Sequence, residues 1–238
     1  MLELKNISFQ AEDEKEILKD VSLKIDDKIV VITGPNGGGK STLAKVIAGI
    51  GTPTGGQILL DGEDITGYSV TERANAGISL AFQQPVRFKG LTVRDLITIA
   101  AGKELNVSEA CSYLSEVGLC AKDYIDRELN ASLSGGEIKR IEIATILARG
   151  SKFSIFDEPE AGIDLWSFQS LIRVFEKMQK EYKGTILIIS HQERILDIAD
   201  KIIYIKDGMV EQYGPKDEIL KTLINAAQPG CDVLMQKI

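Results

Sequence analysis

Gly34-Pro35-Asn36-Gly37-Gly38-Gly39-Lys40-Ser41 sets four residues between a first glycine and Gly39-Lys40-Ser41, and Thr42 follows. Glycines at this spacing let successive backbone N–H groups converge on phosphate oxygens without Cβ clashes, and a helix beginning there adds free donors and a positive dipole end. Lys40 supplies a point charge for the β- and γ-phosphates of a nucleotide, and Ser41 a hydroxyl for Mg2+. A glycine-rich turn would need the glycines but neither the lysine nor the serine.

Two further groups sit at comparable places. Phe153-Ser154-Ile155-Phe156-Asp157-Glu158 is an apolar run ending in adjacent carboxylates. Alternation along a strand sends them in different directions, so Asp157 suits a Mg2+ shell and Glu158 suits the polarisation of an attacking water. Taken alone, such a pair is more often a solvated turn, and the glycine loop upstream is what favours the chemical reading. Ser134-Gly135-Gly136-Glu137 reads as an N-cap with glutamate at the third helical position, a capping box, and as an anion site made of serine hydroxyl and glycine amides.

The elements that must position these groups alternate between strand and helix. Leu2 to Ser8, Val21 to Ile25, Gln57 to Leu60 and Ile78 to Phe82 read as strands, and Ile29 to Thr33 as a buried central one running straight into the glycines. Helices are predicted over Ser41 to Ala48, Ser69 to Ala76, Gly135 to Arg149 and Leu165 to Tyr182, with strands at Phe153 to Phe156, Thr185 to Ser190 and Lys201 to Lys206. Between Pro85 and Asn130 only helical spacing recurs, in Val93, Leu96, Ile97 and Ala100, then Ala110, Tyr113, Leu114 and Val117. After Asp207-Gly208 the reading is a polar tail. The expectation is one α/β domain over 1–238, with a mostly parallel sheet, a core of 1–84 and 134–238, and a helical insert at 85–133.

Composition narrows the partners. A formal charge of −7 provides no basic surface for nucleic acid. Cys111, Cys120 and Cys231 are dispersed, without a CxxC pair and with a single histidine, which argues against a disulfide framework, a zinc site or an iron–sulfur ligand set. No apolar run reaches membrane-spanning length, and Met1-Leu2-Glu3-Leu4-Lys5 alternates unlike a signal peptide, so a cytoplasmic protein is expected.

Leu133-Ser134-Gly135-Gly136-Glu137 resembles the LSGGQ signature of ABC ATPases, with Glu for Gln, and the resemblance extends over nearly the whole chain. It implies a P-loop fold of the ABC type with N-terminal antiparallel strands. It also implies ATP and Mg2+ as ligands, and a head-to-tail dimer in which the signature of one subunit, Ser134 to Glu137, caps the γ-phosphate held by the other. Gln83 matches the Q-loop glutamine that touches Mg2+ or the lytic water, Ala161-Gly162-Ile163-Asp164 the D-loop, and His191 the H-loop contact to the γ-phosphate. Taken alone, Asp164 is also an ordinary N-cap. The family's adenine-stacking aromatic near position 11 is missing: the matching stretch is Phe9-Gln10-Ala11-Glu12-Asp13.

Within the family, Glu137-Ile138-Lys139-Arg140, Phe82-Gln83-Gln84-Pro85-Val86 and His191-Gln192-Glu193-Arg194 are similar to the SufC subfamily, the ATPases of the SUF iron–sulfur cluster assembly system. Pro159 is instead typical of transporter subunits. The first resemblance implies a SufB/SufD-like scaffold as partner, docking at Val86, Arg87, Phe88 and Leu91. The second implies a transmembrane permease, the chain then being the cytosolic subunit of a membrane importer.

Overall fold

Ile29–Thr33 forms β3, and all five positions are buried, because both faces of the sheet around it are covered. The computed structural model describes residues 1–11, 13–130 and 133–227. β3 lies between β8 (Thr185–Ile189) and β9 (Lys201–Lys206), parallel to both, with Val31 opposite Ile188 and Ile202. β7 (Phe153–Asp157) and β6 (Ile78–Ala81) continue the parallel sheet beyond β8. β10 (Met209–Pro215) pairs antiparallel with β9 and closes the other edge, giving the order β10-β9-β3-β8-β7-β6.

Period-two alternation sorts these strands' side chains into two cores. Ile29, Val31, Phe156, Ile186, Ile188 and Ile202 face helices, while Val30, Ile32, Ile155, Leu187, Ile189 and Ile203 face the N-terminal layer. That layer is an antiparallel sheet in the order β2-β1-β4-β5, built from β1 (Leu2–Gln10), β2 (Glu16–Ile25), β4 (Gly55–Leu60) and β5 (Glu63–Asp64). β2 starts earlier than the predicted Val21. Its polar first half is drawn into the sheet by pairing with β1, Gln10 opposite Glu16 and Phe9 opposite Leu18.

α1 (Lys40–Ile47) leaves the glycine loop with Leu43, Ala44, Val46 and Ile47 buried in this second core. α2 (Val70–Ala76), started by a Ser69–Glu72 capping box, carries Arg73, which is 1% exposed. The Arg73 guanidinium donates to the carbonyls of Val46 and Ile47 at 2.6 and 2.9 Å and to that of Thr66 at 2.7 Å. Those acceptors include two carbonyls of the last turn of α1, so α2 holds the helix that begins at Lys40.

α3 (Val93–Ala101), α4 (Val107–Glu116) and α5 (Ala121–Tyr124) follow β6. Val93, Ile97, Ala110 and Leu114 pack with Ile138 and Ile141 of α6 (Gly135–Arg149). Thr92–Asp95, Asn106–Glu109 and Ser134–Glu137 each complete a capping box at the start of α3, α4 and α6. α7 (Leu165–Glu181) and the short α8 (Glu193–Asp197) cover the same face, and Asp164 Oδ1 accepts from the Ser167 amide at 3.0 Å, an N-cap contact at the start of α7. Asp207-Gly208 is not the start of a polar tail: it turns the chain into β10, and α9 (Lys216–Ala227) follows. β10 is a half-exposed edge strand ending in proline, so it lacks both the apolar run and the clean alternation that mark a strand in sequence. Cys231 and the rest of 228–238 lie outside the described residues.

Candidate nucleotide site

Several glycines of the loop are required by their neighbours. At Gly34, φ is 134° and a Cβ would stand 1.9 Å from the carbonyl oxygen of Ile205, so β9 presses directly on the loop. Gly39 caps α1 at φ 101°, a conformation that costs other residues energy. Lys40 is 5% exposed and lies back across the loop, its Nζ donating to the carbonyls of Gly34 at 2.8 Å and Pro35 at 2.9 Å. Burial pushes its ammonium below the usual lysine range, and the charges of Glu158 and Asp157 oppose that shift.

Asp157 ends β7, 6% exposed, and accepts a hydrogen bond from Ser41 Oγ at 3.0 Å. Burial raises its carboxyl above the ordinary range and Glu158 adds to this, while the Ser41 hydroxyl works the other way. Glu158 does not continue the strand. Its φ is 44°, the left-handed region, held by its own N–H on Ile189 O at 3.0 Å and by the Ala161 amide on its carbonyl at 3.0 Å. The turn aims its carboxylate at Gln83, whose Nε2 donates to Glu158 Oε2 at 2.5 Å.

His191 follows β8, and Ser190 Oγ anchors the turn ahead of it by donating to Glu160 Oε1 at 2.5 Å and accepting from the Gln192 amide at 3.0 Å. Burial and the Lys40 charge hold the imidazole below its usual value, against the pull of Glu158. The His191 side chain is exposed, and the charges of Lys40 and Glu158 both act on it.

A cavity of about 670 Å3 is lined by Asn36, Gly37, Gly39, Lys40, Ser41, Thr42, Gln83 and Glu158. Its remaining wall is Lys15, Glu16, Ile17, Lys19, Asp207 and Gly208, none of which the sequence singled out. The Gly208 amide donates to Gly38 O at 3.1 Å and its carbonyl accepts from the Lys19 amide at 2.9 Å, so the β9–β10 turn stitches β2 to the glycine loop. The one available signal was the Asp-Gly dipeptide, read as a turn without a destination. Phe9 is not in this wall; it packs on the core beside Val46 and Gly51.

The signature segment lies apart from this cavity. Glu137 Oε2 accepts from the Ser134 amide at 2.6 Å, Ser134 Oγ accepts from the Glu137 amide at 3.3 Å, and the Tyr124 hydroxyl donates to Glu137 Oε1. A Cβ on Gly136 would come within 3.2 Å of the Ser167 side chain, and one on Gly135 within 3.2 Å of the Gly162 carbonyl, so the D-loop backs directly onto the signature. Ser134 to Glu137 are absent from the residues lining the cavity that holds Lys40. Among the described residues no cluster of three or more His, Cys, Asp or Glu forms a cation cage, and no helix is long and apolar enough to cross a membrane.

This geometry, a glycine loop closing on a helix with an acidic strand end beside it, defines a nucleotide-binding cassette. The chain belongs to the ABC transporter family, whose match spans residues 18–161. It is an ATP-binding, ATP-hydrolysing cassette with the α/β P-loop fold of that family. It is 39% identical over 214 residues to the uncharacterized ABC transporter ATP-binding protein MJ0035 of Methanocaldococcus jannaschii, covering 86% of this chain and 85% of that one. The spermidine/putrescine import ATP-binding protein PotA of Mesoplasma florum is 31% identical over 92% of this chain and 63% of its own length. Among solved structures, the dimeric post-hydrolysis state of the cassette MJ0796 bound to ADP and Pi superposes with a TM-score of 0.80 at 26% identity, covering 91% of this chain and 99% of that one.

Proposed function

We propose that this cassette works as a head-to-tail dimer around two ATP and that its closure drives a conformational change in a SufB/SufD-like scaffold during iron–sulfur cluster assembly. The observation that carries the dimer is the separation of the two anion sites: Lys40, Ser41, Gln83 and Glu158 line one cavity, and Ser134 to Glu137 stand outside it. A serine cap with glycine amides that does not reach its own nucleotide is free to meet that of a second copy. The scaffold reading is supported by Glu137 in the signature, by the Gln83-Gln84-Pro85-Val86 and His191-Gln192-Glu193-Arg194 stretches, and by the lack of an aromatic side chain among the described residues that line the cavity. Val86 and Phe88 are exposed beside the Q-loop and suit a docking surface.

In the catalytic cycle Lys40 exchanges its two loop carbonyls for phosphate oxygens. The hard oxygens of Ser41 and Asp157, 3.0 Å apart, with the amide oxygen of Gln83, are the donor types that Mg2+ takes. When bound, the ion neutralises charge on the phosphate oxygens. Glu158 accepts a hydrogen bond from the attacking water, Gln83 orients that carboxylate, and His191 donates toward the γ-phosphate.

A second reading, the cytosolic subunit of an importer working with a transmembrane permease, draws on Pro159 and on relatives named as transporter and spermidine/putrescine import subunits. Affinity purification of the tagged chain from soluble and membrane fractions of its own cells separates the two. A stoichiometric soluble scaffold that carries iron and sulfide after reconstitution is the expected result. Recovery with a multi-spanning membrane protein would replace the biological role and leave the nucleotide site as described.

A further inference from the structure

Lysine and glutamate are seldom buried, yet α6 carries both one turn apart: Lys139 is 2% exposed and Glu142 17%, with Nζ 3.6 Å from Oε2. A buried pair of this kind is a poor source of stability, because desolvation offsets the attraction. Its geometry shows another use. Lys139 Nζ donates to the carbonyl of Phe82, and the Phe82 amide donates to Glu142 Oε1 at 3.2 Å, so the two side chains grip both polar atoms of one residue's backbone. Phe82 lies just past β6, whose ladder with β7 ends at Ala81 opposite Phe156. The next residue, Gln83, bonds the carboxylate of Glu158.

We propose that Lys139 and Glu142 are positioning residues that tie the signature end of α6 to Gln83, so that nucleotide at one half-site sets the water-polarising carboxylate of the other. The connection runs within a single chain. Ser134 to Glu137 open α6, Lys139 and Glu142 follow within its next two turns, and Phe82, Gln83 and Glu158 lead on to the cavity. A small shift of α6 as Ser134 engages the partner's phosphate moves Phe82 with it, because both its N–H and its C=O are held by α6 side chains. The inference rests on the head-to-tail dimer proposed above.

The test replaces the pair by apolar residues of similar size, Lys139→Met with Glu142→Leu, in the full chain. Swaps of this type keep folds intact, and thermal melting checks that this one does. ATP turnover is then measured against ATP concentration with Mg2+. KM is expected to stay within about twofold of wild type, while kcat falls by about tenfold to 10²-fold, the cost of a displaced catalytic group. The Hill coefficient is expected to drop from above 1 to about 1, as for two uncoupled sites. In a Glu158→Gln background, ATP-driven dimerisation measured by elution volume should persist, because the clasp acts on turnover and not on closure.

Wild-type kcat and cooperativity in the folded double variant, or a wild-type Hill coefficient already at 1, overturn the inference. Should the double variant fail to fold, Lys139→Met alone, which removes the donor to the Phe82 carbonyl and leaves Glu142 in place, is read the same way: loss of cooperativity supports the clasp, and unchanged cooperativity overturns it. If Glu158→Gln alone stays monomeric with ATP and Mg2+, the dimer reading fails and takes this one with it. A dimer whose turnover ignores the clasp variants sinks this inference only.

Discussion

The two proposed anion sites of this chain are built by opposite means. At the glycine loop, phosphate donors are backbone groups locked between β9 and α1, with a carbonyl 1.9 Å from where a Gly34 Cβ would sit and the charged groups Lys40 and Asp157 almost fully buried. At the signature, the donors open a helix whose start is fixed by side chains, Ser134, Glu137 and Tyr124. The first site needs no partner to be shaped. The second is held by a few replaceable contacts.

The largest expected effect breaks the chemistry and spares both sites. Glu158→Gln should lower kcat by about 10²- to 10⁴-fold, the range for loss of a general base, while ATP still binds; a phosphate-release assay beside a binding titration reads both. Next comes the rigid site itself. In Gly34→Ala the new methyl meets the Ile205 carbonyl, and overpacking alone should cost about 1–3 kcal/mol in urea melts, with ATP binding lost at the same time. A protein that melts like wild type and keeps its ATP affinity would contradict the close packing of β9 on the loop.

At the signature a milder result is expected. Ser134→Ala removes a helix cap, worth about 1 kcal/mol, and should leave ATP binding to the single subunit unchanged while abolishing ATP-driven dimerisation in a Glu158→Gln background. Equal loss of binding and dimerisation would erase the distinction between the two sites.

The smallest effect is a titration shift. His191 is the only histidine, so its NMR signal is unambiguous. Burial and Lys40 favour the neutral ring, so the midpoint in the nucleotide-free protein should fall below the ordinary value of about 6.5. Lys40→Met removes a charge that lowers it and should move it up; Glu158→Gln removes one that raises it and should move it further down. A midpoint unmoved by either substitution would place His191 away from the site.

Most of the glycine-loop site was legible in the residues, because its chemistry demands unusual types at fixed spacing: glycines, then Lys40 and Ser41, then a strand ending in Asp157 and Glu158. Less of the cavity wall was. Ile17 and Lys19 belong to a strand whose first half is too polar to read as one, Lys15 just precedes it, and β2 extends back to Glu16 only because β1 offers it hydrogen-bond partners. The β10 edge strand and Arg73 escaped notice for a related reason: each is defined by what lies opposite, one by β9 and the other by the carbonyls at the end of α1.

By itself, then, the sequence determined the strand–loop–helix of the nucleotide site, its acidic partner strand and the capped start of α6, since local spacing and backbone conformation suffice for these. Tertiary structure alone decided the left-handed turn that points Glu158 at Gln83, the closing of the cavity by the β9–β10 turn, and the grip of Lys139 and Glu142 on Phe82. Each joins segments tens of residues apart, where hydrogen bonds and burial depend on how the sheets and helices pack and not on any neighbour in the chain.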